Sequence, residues 1–98
     1  MRETEKEDLR RRLDDLSRRL ESRVRDFKEK GEFSDLHRRS ATELRQRQAE
    51  LVKRIDAAAR ASAAWEMTKA ELARDFASLF DDFTQFEQTL EAARMKTR

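Results

Sequence analysis

His37 is the only histidine in the chain and there is no cysteine. No second imidazole or thiolate can therefore complete a zinc site or a Cys–His nucleophile pair. His37 lies beside Arg38, just past a turn signal, and is expected at the surface. Asp81-Asp82 and the neighbouring acids lack the loop spacing and the glycine of a calcium-binding hand. A phosphate-cradling loop needs several glycines, and Gly31 is the only one. A serine or lysine nucleophile would need a concave pocket, which a rod of helices rarely offers. No catalytic residue, no cofactor-binding residue, no metal ligand and no cofactor are assigned, and the chain is expected not to be an enzyme.

The elements that carry these residues follow from composition. Ninety-eight residues make one domain at most. Ala, Glu, Lys, Leu and Arg supply 58 of them, with no proline, a bias that signals long helices when it is periodic. The fold class expected is all-α. The charged start, Met1 to Asp8, lacks the apolar core of a secretory signal, and no stretch is apolar enough to span a bilayer. The expected location is cytoplasmic.

Leu9, Leu13, Leu16, Leu20, Val24 and Phe27 fall at spacings of four and three, the stripe of a helix packed on another helix. Thr4 with Glu7 makes a capping box at its start, and Gly31 suits its end. The first helix is expected over 5–30, a turn over 31–34, and a second helix begun by Ser34 as N-cap. From there the same rhythm visits Leu44, Gln48, Leu51, Ile55, Ala58, Ser62, Trp65, Lys69, Leu72, Phe76, Leu79, Phe83, Phe86, Leu90 and Ala93. An unbroken phase predicts one helix over 35–95, about 90 Å long. The architecture expected is an antiparallel hairpin or coiled coil with a long second helix. The alternative is a three-helix bundle broken near 60–68, where Thr68-Lys69-Ala70-Glu71 makes another capping box and Met67 and Leu72 a hydrophobic staple. The Ala-rich run 57–64, free of Gly and Pro, argues for continuity.

Acids precede bases by four residues at Glu7–Arg11, Asp8–Arg12, Asp14–Arg18, Asp15–Arg19, Glu21–Arg25, Glu43–Arg47, Glu50–Arg54 and Asp56–Arg60, a spacing that supports a solvated helix. Residues 1–60 carry a net charge of +4 and residues 61–98 one of −2. That polarity favours antiparallel pairing of the basic half on the acidic half. Clusters such as Arg10-Arg11-Arg12 are interrupted by acids and fit no nucleic-acid-binding motif, so they read as a salt-bridged face.

The sharpest feature is an aromatic face of Trp65, Leu72, Phe76, Leu79, Phe80, Phe83, Phe86 and Leu90. A first helix of this length covers only residues 35 to about 60 of a hairpin, which leaves that face without a cover. Each exposed Phe or Leu forgoes roughly 1.5–3 kcal/mol of burial. The expectation is self-association, a dimer first, through these eight residues, with an intramolecular fold-back as the next alternative and a partner protein or lipid after it.

Ala64, Trp65, Glu66, Lys69, Ala70, Leu79 and Phe83 fall in register with the C-terminal segment of small bacterial coiled-coil proteins, with Phe76 at the place of their second tryptophan. The chain resembles that family over about twenty residues. It departs at Glu71, where glycine is common, at Phe80, usually polar, and in lacking a glycine before Ala64-Trp65, which weakens a hinge there. Members are mostly of unknown role and some are labelled stress-response proteins, so the resemblance implies no substrate. The function expected is a non-enzymatic scaffold or adaptor, stress-related if the resemblance holds, with another protein as a further partner. One alternative is an amphipathic helix on a membrane surface, for which flanking bases are scarce. A second is non-specific nucleic-acid binding through the Arg-rich N-terminal half.

Overall fold

The computed structural model describes residues 5–96, with side chains to residue 93. Three helices follow one another: α1 (Glu5–Glu29), α2 (Asp35–Ala58) and α3 (Ser62–Lys96). The all-α class stands, and the architecture is the alternative one, a three-helix bundle. Arg45 of α2 pairs with Glu21 of α1, and Arg47 and Arg54 of α2 pair with Asp82 and Asp75 of α3. Glu5 and Arg19 of α1 pair with Lys69 and Glu87 of α3. The run is therefore up, down, up, with α1 parallel to α3. The Cα envelope is 53 × 26 × 16 Å, and α3, at about 1.5 Å per residue, spans its long axis.

α1 ends as the glycine predicts. Gly31 takes φ +70°, a left-handed conformation that costs it little because it has no Cβ. Its N–H donates to the Lys28 carbonyl, and the Glu32 N–H donates to that of Phe27 at 2.9 Å. Those two bonds make a Schellman ending. The Thr4 half of the expected starting box lies outside the described residues.

Ser34 caps α2, its hydroxyl accepting from the His37 N–H at 3.2 Å. The reciprocal bond comes from an unexpected side chain. His37 Nδ1 accepts from the Ser34 N–H at 3.2 Å, the task usually given to Glu or Gln at this position. His37 is accordingly buried and not at the surface. Its ring lies 5.9 Å from that of Phe33 and edge-on to Phe86 at 6.5 Å, so one imidazole both caps α2 and fills the end of the core. Ser34→Ala should lower stability by about 1 kcal/mol, read from urea midpoints, because the His37 N–H loses its acceptor.

The continuous helix over 35–95 is corrected by the turn at 59–61. Ala59 keeps helical angles (φ −68°, ψ −14°), yet Arg60 and Ala61 donate three residues back, to Ala57 and Ala58, at 3.4 and 3.5 Å. The ladder tightens, and the chain reverses. The second capping box is not used. Thr68 sits inside α3 with its hydroxyl donating to the Ala64 carbonyl at 2.7 Å, and Met67 is 85% exposed and staples nothing. Reversal wins because it buries α3 against both other helices, and the burial outweighs the few helical bonds given up.

Candidate interaction face

The turn changes what α1 can reach. Running parallel to α3, it meets Lys69 through Glu5 and Glu91 through Arg23, and so covers most of α3's length. Trp65, Leu72, Leu79, Phe83, Phe86 and Leu90 are all buried in one core with Leu13, Leu16, Leu20, Phe27, Leu44 and Ile55. Where Leu16, Leu20, Leu44, Leu79 and Phe83 meet, the gap left is about 10 Å³, no more than the minimum that one water molecule needs. The expectation that the first helix cannot reach the aromatic half is thereby corrected. Six of the eight residues assigned to that face are core, and the same chain supplies their cover.

Two of the eight remain outside. Phe80 is 41% exposed and Phe76 is half-buried, their rings tilted on each other with centroids 6.2 Å apart. They form one wall of an open groove of about 430 Å³ between α1 and α3, whose other wall is Arg12, Asp15, Leu16 and Arg19. Phe80 widens the apolar stripe past what two neighbours can bury, which is why it stays at the edge. Leu36 and Met67 are also exposed but lie elsewhere on α2 and α3.

The groove is framed by paired charges. Arg12 Nε lies 3.1 Å from Asp8, and Arg18 pairs with Asp15. Arg19 turns under the groove, its guanidinium 5.5 Å from the Phe83 ring centroid and its nitrogens 2.8 and 3.0 Å from Glu87. Arg23 holds the same carboxylate at 3.0 Å. Glu87 is the one acid buried among the described residues, and two arginines compensate it.

The ion pairs divide between local ones along a helix and long-range ones between helices. Asp8–Arg12 forms at the expected spacing. Arg19, Arg47 and Arg54 instead bridge to Glu87, Asp82 and Asp75 of α3. Basic half does meet acidic half, within one chain. Arg10 reaches Asp56 with two contacts of 2.8 Å, tying the ends of α1 and α2. Arg10, Arg19, Arg47 and Arg54 are engaged in this way.

No family model, curated protein or solved structure matches this chain. Among the described residues no three His, Asp or Glu side chains gather as metal ligands, and no helix is long and apolar enough to cross a membrane.

One pair makes a pH prediction. The hydrogen bond from Arg45 holds the Glu21 carboxyl below its usual range, and burial opposes it. A depressed carboxylate stabilises the fold above its unfolded value, near 4.3, and that contribution disappears as pH falls through the folded value. Glu21 is half-exposed, with 46% of its side chain accessible, so solvent screening holds the effect to below about 1 kcal/mol. Urea midpoints should fall between pH 5 and pH 3, and Glu21→Gln should flatten that fall. An unchanged slope in the variant would show that the pair contributes nothing.

Proposed function

We propose that the chain is a non-enzymatic helical adaptor that self-associates as a dimer through the surface remnant of its C-terminal aromatic face, Phe76 and Phe80. The observation that carries this reading is the exposed Phe80 ring beside the α1–α3 groove. A groove between two parallel helices accepts another helix, which turns three helices into four. Under a twofold axis the patch is self-complementary, since each Phe80 can enter the other copy's groove. The surrounding charges are already paired, so a second copy meets no like-charge barrier there. The resemblance noted above would give such an adaptor a stress-response setting. A membrane surface fits less well, because the rest of the apolar face is turned into the bundle.

Phe80→Glu tests this. Sedimentation from micromolar to millimolar concentration should show the wild-type mass rising above the 11.7 kDa of one chain. The variant should lose the part of that rise that reverses at once on dilution, with stability unchanged within about 0.5 kcal/mol. A wild type that stays monomeric throughout, or a variant that dimerises equally well, contradicts the proposal.

A further inference from the structure

The turn between α2 and α3 is unusual for a chain reversal. No residue in it is glycine or proline, and no residue but Gly31 has a positive φ among those described. Ala59 is already in the right-handed helical region, and the run from 57 to 64 is Ala-Ala-Ala-Arg-Ala-Ser-Ala-Ala. All but Ser62 are among the strongest helix formers. The two bonds that close the turn, Arg60 to Ala57 and Ala61 to Ala58, are long at 3.4 and 3.5 Å. The core-facing rhythm also passes through the turn in phase, from Leu44, Leu51, Ile55 and Ala58 to Trp65, Leu72 and Leu79. Local preference thus asks for a helix where tertiary burial imposes a bend.

We infer that the turn is a hinge for exchange between two copies of this chain. Residues 59–61 straighten, α2 and α3 become one helix over 35–96, and α3 of each copy packs on α1 and α2 of the other. Every contact that α3 makes with α1 and α2, including Arg47 to Asp82 and Arg54 to Asp75, is remade between chains, while α1 and α2 keep their own. The open hinge regains regular helical bonds that the turn forgoes. Dilution favours the closed monomer, because association costs translational freedom. High concentration favours exchange, the usual hazard of a hinge under conflicting demands. The product is a rod with helices about 93 Å long in place of a 53 Å bundle. Opening must strip α3 from the core, so the exchanged dimer persists after dilution, whereas a face-to-face dimer separates at once. Exchange does not use Phe80 and stands independently of the dimer proposed above.

The test labels Glu43→Cys and Gln85→Cys with spin probes, in the wild-type and Phe80→Glu backgrounds. Both positions are exposed and line one groove between α2 and α3, and the chain has no other cysteine. Labelled chain is refolded at millimolar concentration in excess unlabelled chain, and the dimer fraction is measured by pulsed electron–electron resonance. Within one chain the separation should lengthen from that of helix neighbours to about 63 Å, the rise over 42 helical residues. Ala59→Gly with Ala61→Gly should weaken dimerisation on the order of a hundredfold, since four glycines enter the two open hinges. A dimer whose intrachain distance stays short, no persistent dimer at all, or a glycine variant that exchanges as readily would overturn the inference.

Discussion

Phe83→Glu should yield a chain with little helix at 25 °C, seen as loss of the far-ultraviolet circular dichroism minimum at 222 nm. Phe83 is 1% exposed. It shares a closely packed junction with Leu16, Leu20, Leu44 and Leu79, one residue set drawn from all three helices. The charged group over its ring, Arg19, is already committed to Glu87. A carboxylate placed there is either ionised and desolvated or protonated and misfitting, and loses the ring in both cases. Phe→Ala alone costs about 3–5 kcal/mol at a buried site. A domain of this size has roughly 5–15 kcal/mol in total, so the added charge exhausts it. Phe80→Glu, three positions back and on the rim, should leave the helix signal intact. Equal tolerance at both positions would mean that α3 does not pack as described.

Removing α3 should be equally severe. Residues 1–61 contain the whole hairpin that a two-helix reading would regard as self-sufficient. In the bundle, however, Leu16, Leu20 and Leu44 also face α3, lining the same gap as Leu79 and Phe83. Without α3, that side of the hairpin is open to water, at a cost of roughly 1.5–3 kcal/mol for each large apolar side chain left exposed. Arg47 and Arg54 lose their partners on α3 as well. Two helices of about 25 residues do not hold together against that loss. The fragment should show no cooperative thermal transition. A cooperative melt of residues 1–61 would contradict the packing.

How far the sequence could be read depended on whether signals were local. α1, its glycine ending and the Ser34 cap are each written in a few adjacent residues, and the helix bounds found, Glu5–Glu29, match the 5–30 expected. The core list also emerged from the four-three rhythm, since most of its apolar members are buried. The turn at 59–61 was not legible. Its residues have helical angles and helix-forming side chains, and a periodic pattern cannot separate a reversal from a straight helix when the phase survives both. Only tertiary burial decides there. That one miss carried the others with it. A hairpin geometry left the aromatic face uncovered, whereas the bundle covers six of its eight residues and reduces the candidate site to Phe76 and Phe80. His37 was missed for a narrower reason. The partner at the third position of a capping box is usually Glu or Gln, and an imidazole nitrogen accepts the same bond. The salt bridges show the same bias, because spacing along one helix is visible in a sequence and proximity between helices is not.

Small-angle X-ray scattering with mass determination, at low micromolar concentration, asks most directly whether α3 folds back on α1. A single 11.7 kDa chain with a radius of gyration close to the 15.7 Å of the Cα trace is the predicted result. A particle with a maximum dimension near 90 Å and a radius of gyration of about 26 Å, the value for an unbroken helical rod, would contradict it.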